Sequence, residues 1–297
     1  MGSGHTTTCC PTSHTWGRHT CTGRRRKGDL RAASEERGLI HVVANRVRLG
    51  WGGVGSGIDR PLAFAFGAVA AAYDRVRPPY FLPLLDRAQE ALGLHPSASV
   101  LDLGAGTGRL TRELAARFAN VIAVEPVDEM RALLDVGTVL AGRAEGIPLG
   151  DGSVDAVFVG EAFHWFDAGQ AVGEIVRVLR PRGGLAVIST HWWETDPPLP
   201  ESVVSLLREP YERTSQQRGA RWDDAFDASP FEPLRYERFE DEVTMGADRL
   251  LALYSTTSSF AALRPSERTA LLGEVRPWLT GPYRLPIKHD LTWTRLA

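Results

Sequence analysis

Three glycines at alternate positions, Gly104, Gly106 and Gly108, stand between a short apolar run and an amphipathic stretch in VLDLGAGTGRLTRELA, Val100 to Ala115. Glycine reaches positive φ and carries no Cβ, so this turn, with Ala105 inside it, lets a ligand approach the backbone closely. Free N–H groups at the start of the following helix suit a carboxylate or phosphate. A second apolar run, Val121 to Val124, ends at Glu125. That carboxylate comes about 20 positions after the turn, where an acidic residue accepts from two ribose hydroxyls. The residues therefore suit a polar ligand that bears adenosine. Further on, EAFHWF (Glu161 to Phe166) offers His164. Its imidazole titrates near neutral pH and suits a general base for a hydroxyl acceptor or, equally, a brace for the loop.

The elements that must position these groups follow from hydropathy. Ser99 to Leu103 reads as a central parallel strand, and Leu110, Leu114 and Phe118 fall on one face of the helix that follows. Strands are expected at Val121 to Glu125, Val139 to Gly142, Val154 to Gly160 and Gly184 to Thr190, with helices from Asp128 and Ala168 between them. Such alternation implies a doubly wound, mostly parallel sheet with helices on both faces. Helices are expected over Pro61 to Arg77 and Tyr80 to Leu94, the second with Pro83 in its first turn. Beyond Thr190 the chain is broken by Pro197, Pro198 and Pro200, then predicts a helix over Glu201 to Gln216 and strands at Leu234 to Val243 and Leu285 to Thr294.

Composition narrows the classes. The 297 residues are 43% hydrophobic, ordinary for a globular protein, and no apolar run approaches the roughly 20 residues of a bilayer crossing. The net charge of -2 hides an asymmetry: residues 1 to 60 hold ten basic and four acidic residues, leaving 24 basic and 32 acidic in the rest. An acidic body disfavours nucleic acid as partner. Cys9, Cys10 and Cys21 all lie in the basic segment, without a C-x-x-C pairing, so no metal site is expected and cytoplasm is the default compartment. Residues 1 to 60 read as a disordered extension, with a basic localisation or nucleic-acid arm as the alternative.

The glycines read G-A-G-T-G, the third arriving one residue before its place in the dinucleotide motif G-x-G-x-x-G. Together with VIAVEPVDEM, AGRAEGIPL, SVDAVFVGEAFHWF and EIVRVLRPRGGLAVI, LDLGAGTGRLT resembles the class I S-adenosylmethionine-dependent methyltransferases, nearest the small-molecule, trans-aconitate methyltransferase-like branch. The resemblance is strong over Ala72 to about Thr190. It implies a Rossmann-like, seven-stranded sheet with an antiparallel C-terminal strand and a helical substrate cap. One domain is expected over 61 to 297, with a lead-in and lid over 61 to 96, a cofactor-binding core over 97 to 190, and cap and final strands over 191 to 297.

It also implies S-adenosylmethionine as methyl donor and a small organic acceptor, with oxygen favoured over nitrogen or carbon as the methylated atom; a monomer or homodimer is expected. Gly104, Ala105, Gly106 and Gly108 would line the methionine part, with Asp102 organising the loop. Glu125 and Pro126 would meet the ribose. Met130 would touch the adenine or face the core, and Ala144 and Glu145 would hold the adenine edge or form a surface turn. Glu161 would border the cofactor. Tyr73, Arg77 and Tyr80, in YDRVRPPY, resemble a lid over the cofactor, or form an ordinary capped helix end. Trp165 and Trp192 would line the acceptor pocket, though core packing accounts for Trp192 as well. A non-catalytic adenosyl-binding protein and a nicotinamide oxidoreductase are the remaining alternatives.

Overall fold

The computed structural model describes residues 67, 69–192, 199–215 and 222–297. The N-terminal extension with its three cysteines, the expected start of the first helix, Trp193, Pro197, Pro198 and Gln216 lie outside the described residues. In chain order the elements are α1 (Ala70–Val76), α2 (Leu82–Ala91), β1 (Ser99–Leu103), α3 (Arg109–Ala115), β2 (Asn120–Glu125), α4 (Asp128–Arg131), β3 (Thr138–Ala141) and β4 (Val154–Gly160). Then come α5 (Ala168–Val178), β5 (Leu179–His191), α6 (Glu201–Ser215), β6 (Arg235–Met245), α7 (Ala247–Ser255), α8 (Ser258–Ala261), α9 (Pro265–Val275) and β7 (Tyr283–Arg295).

The strands form one sheet in the order β3-β2-β1-β4-β5-β7-β6. Pairing is parallel from β3 through β5, and β7 runs antiparallel between β5 and β6. The chain starts at β1 in the middle, builds outward to β3 and crosses to β4, so β1 and β4 flank the point where strand order reverses. Ligands of such sheets sit outside the carboxyl ends of those strands.

Alternation along the strands supplies a core on each face. Leu101, Leu103, Val157, Val159, Leu185 and Val187 pack against α5, through Ala171, Val172 and Ile175. Val100, Ala156, Phe158, Ala186 and Ile188 pack under α2 and α3, where Leu110, Leu114 and Phe118 form the expected stripe. A third cluster joins Trp192, Val203, Leu207, Leu250, Leu253 and Phe260 into the cap beyond β5. No helix among the described residues is long and apolar enough to cross a membrane.

Some boundaries differ from expectation: α2 is shorter than Tyr80 to Leu94, and several strands start or end elsewhere. β5 begins at Leu179, not Gly184, because Leu179 pairs with Val154 and the chain then bulges, with Arg182 at φ 65°, before Gly184 pairs with Ala156. β6 and β7 each run longer than their apolar cores suggest, since an eleven-pair register carries their polar ends along.

Candidate functional site

β1 ends in the glycine turn because Gly104 and Gly106 take φ of 74° and 59°, conformations that favour glycine. A Cβ on Gly104 would stand 2.7 Å from the methyl of Ala162, so the turn can rest on the segment after β4 only as glycine. The turn is also stitched to β2. The amides of Gly104 and Ala105 donate to Val124 O at 2.9 and 3.1 Å. Glu125, only 5% exposed, accepts from Gly106 N–H at 2.8 Å and from Val127 N–H at 2.9 Å, one bond to each oxygen. Burial raises its pKa, and those two amides and Arg131 oppose the rise. Each carboxylate oxygen keeps a further lone pair, enough to accept from a vicinal diol.

The lead-in segment closes over the turn. Asp74, on α1, accepts from the Thr107 hydroxyl at 2.8 Å and from Arg112 Nη2 at 2.6 Å, while Arg112 Nη1 donates to Thr107 O at 3.0 Å. Arg109 donates to the carbonyl of Pro78. Arg77 lies 4.7 Å from the Tyr73 ring centroid and 5.8 Å from that of Trp192, and Nη2 donates to Thr256 O at 2.9 Å. Its buried Nε has no hydrogen-bond partner among the described residues. The Tyr80 hydroxyl rests against Gly160, where any side chain would meet it and Leu110. Burial, then Tyr73 and Glu161, push that hydroxyl's pKa well above the ordinary phenol value.

These pieces enclose a cavity of about 790 Å³, within the roughly 300–1,000 Å³ of small-molecule sites. Of the sequence candidates, Tyr73, Arg77, Tyr80, Gly104, Ala105, Gly106, Glu125, Pro126, Met130, Ala144, Glu145, Glu161, His164, Trp165 and Trp192 line it. Asp102 and Gly108 do not. Asp102 faces α3, accepts from the buried Thr111 hydroxyl at 2.6 Å, and is raised by burial to about 7. Gly108 caps α3 at φ 83°. The Glu145 oxygens are engaged by Asp167 N–H at 2.9 Å and Arg143 Nε at 3.3 Å. His164 is exposed, on the single turn Phe163–Trp165, with its ring 4.7 Å from that of Trp165. Met130 is buried with Ala70 and Val127 and also reaches the cavity.

Sequence reading missed Trp222 and Asp224, which enter the lining from a 3-10 turn nearly sixty residues beyond His164. Trp222 is placed by its 4.8 Å contact with Phe163, a tertiary packing with no local signal. Thr190 and Arg109 also line the cavity, and their positions at the end of β5 and the start of α3 could have marked them. The cavity fits S-adenosylmethionine in kind. It offers a backbone cradle a Cβ would fill, a carboxylate with free acceptor capacity beside it, and a buried guanidinium nitrogen unpaired among the described residues.

Residues 101–187 match the model of a methyltransferase domain. An uncharacterized methyltransferase of Mycobacterium tuberculosis is 45% identical over 142 residues, 46% of this chain and 54% of that protein. The chain thus spans about half the length of the mycobacterial relatives it matches. A methyltransferase-like protein of Schizosaccharomyces pombe is 30% identical over 217 residues, 71% of this chain and 84% of the relative. A structure from Anaeromyxobacter dehalogenans, named for a type II methyltransferase, superposes with a TM-score of 0.56 at 23% identity, covering 74% of this chain and 98% of its own. That likeness bears on the fold. The domain match and the fission-yeast relative, joined to the glycine turn and Glu125, establish that the chain belongs to the class I S-adenosylmethionine-dependent methyltransferases.

Proposed function

We propose that this chain transfers a methyl group from S-adenosylmethionine to an oxygen of a small organic acceptor. The observation that carries the reading is that the glycine turn and Glu125 share one cavity with Arg77, Glu161, Thr190 and Trp192. When bound, the donor supplies a methyl group already activated on a sulfonium. The chain's own work is then to hold two reactants in line and keep water out. Gly104 and Gly106 would border the methionine part, Glu125 would accept from the ribose hydroxyls, and Ala144 and Met130 would flank the adenine. The Arg77 guanidinium, stacked between Tyr73 and Trp192, would attract a carboxylate. Trp165 and Trp192 give the acceptor side apolar walls.

The test is incubation of the purified chain with methyl-labelled donor and a panel of small hydroxy compounds, acids and amines. Label transferred to a hydroxyl or carboxyl oxygen supports the reading. Tight S-adenosylhomocysteine binding with no labelled product from any acceptor would support a non-catalytic adenosyl-binding protein instead.

A further inference from the structure

Behind the cavity, the end of β5 and the middle of β7 carry buried ionisable groups that the reading above leaves without a role. Asp290, 5% exposed, accepts from Arg238 Nε and Nη2 at 2.6 and 2.7 Å and from the Tyr236 hydroxyl at 2.7 Å. His191, 3% exposed, places Nε2 3.1 Å from Asp290 Oδ2. The next residue back, Thr190, donates its amide N–H to the Glu161 carboxylate, and its Oγ1 lies 3.3 Å from His289 Nδ1. Glu161 leaves β4 at φ 57°, a left-handed conformation that strains a residue with a Cβ and persists where its surroundings impose it. Ala162, which follows, is the residue packed against Gly104. The backbone thus holds Glu161 beside the glycine turn, with its side chain in the cavity wall.

Electrostatics connect the two regions. Burial pushes the Glu161 carboxyl up, while His191, then Arg77 and the Thr190 amide, draw it back toward ionisation. Tyr80 also faces it. Against burial, Arg238 and His191 hold Asp290 down at about 2. His191 is therefore near enough to both carboxylates to favour the charged form of each.

We propose that Glu161 takes the acceptor's proton during methyl transfer, and that His191, fixed by Asp290 next to the Thr190 amide that binds the Glu161 carboxylate, is its positioning residue. This rests on the donor site proposed above and narrows the acceptor to one whose nucleophilic oxygen carries a proton. As that oxygen bonds to the methyl carbon, the carbon–sulfur bond breaks with its electron pair left on sulfur, and the O–H proton passes to Glu161. The carboxylate faces one positive charge before the step, the sulfonium, and one after it, the proton. Its basicity must rise when the donor becomes the neutral thioether.

Isothermal titration in two buffers of different ionisation enthalpy counts the protons exchanged on binding. Near neutral pH, S-adenosylhomocysteine should bind with more proton uptake than S-adenosylmethionine, by up to about one proton per site. Glu161→Gln should erase that difference while both ligands still bind. His191→Gln should move the pH of the largest difference upward, whereas a histidine that only packs would leave it in place. The wild-type and Glu161→Gln measurements decide the matter even where His191→Gln does not fold. Equal proton counts for the two ligands across about pH 5 to 9, or a difference that survives Glu161→Gln, would overturn the inference. Failure of both ligands to bind would overturn the donor site itself and this inference with it.

Discussion

At the scale of residues, the site depends on places where a side chain is missing as much as on those present. Gly160 is extended backbone under the Tyr80 hydroxyl, and a methyl there would run into that oxygen and into Leu110. Gly160→Ala should destabilise the fold by about 1–3 kcal/mol, the range for overpacking a tight contact, read as a lower midpoint in urea. Adding Tyr80→Phe should recover part of the loss, because the oxygen is then gone while Leu110 remains. Additive effects of the two substitutions would contradict the contact. Glu125 was legible because a carboxylate at the end of a buried strand has few other uses. Asp102 was legible as a buried polar residue but not in its partner. Strand alternation turns it to the α3 side with Val100, where Thr111 meets it, and not into the cavity.

At the scale of elements, α1 is latched to the start of α3. Asp74 holds the Thr107 hydroxyl and Arg112 together, and Thr107 is 1% exposed, so releasing it strands a buried hydroxyl. Asp74→Ala should weaken S-adenosylhomocysteine binding by about 1–2 kcal/mol, chiefly through faster dissociation, measured by stopped-flow displacement. An unchanged off-rate would mean that the latch does not hold the ligand in. The β1, glycine turn and α3 unit was readable from periodicity alone, since a buried run, a break and an i, i+4, i+8 stripe leave little choice. The start of β5 was not, because Pro181 and Gly183 look like a turn, while the pairing of Leu179 with Val154 starts the strand ahead of the bulge they form. Nor was the 3-10 turn Trp222–Phe226, whose place is set by aromatic packing on Phe163.

At the scale of the whole molecule, two buried groups tilt the pH dependence of stability in opposite directions. Burial lowers His289 from 6.5 to about 4, so between those values the unfolded chain binds a proton that the folded chain refuses, and stability falls as pH drops. Burial raises Asp102 from 3.8 to about 7, so over that range the folded chain keeps a proton that the unfolded chain releases, and stability falls as pH rises. Each slope is roughly 1.4 kcal/mol per pH unit, and they offset one another between about pH 4 and 6.5. Relative to the wild type, His289→Gln should lose its rising limb and Asp102→Asn its falling limb, seen in denaturation midpoints measured across that window. Profiles parallel to the wild type would contradict both assignments.

The same scale holds the central claim, that the sheet's reversal point is a site for S-adenosylmethionine and not for a dinucleotide. Calorimetric titration of S-adenosylhomocysteine and of NADH into the full chain and into Glu125→Ala tests it most directly. S-adenosylhomocysteine should bind once per chain, NADH should give no saturable heat, and Glu125→Ala should weaken the former by about 1–3 kcal/mol through lost charge-assisted hydrogen bonds. Saturable NADH binding without S-adenosylhomocysteine binding, or equal S-adenosylhomocysteine affinity in Glu125→Ala, would contradict the account.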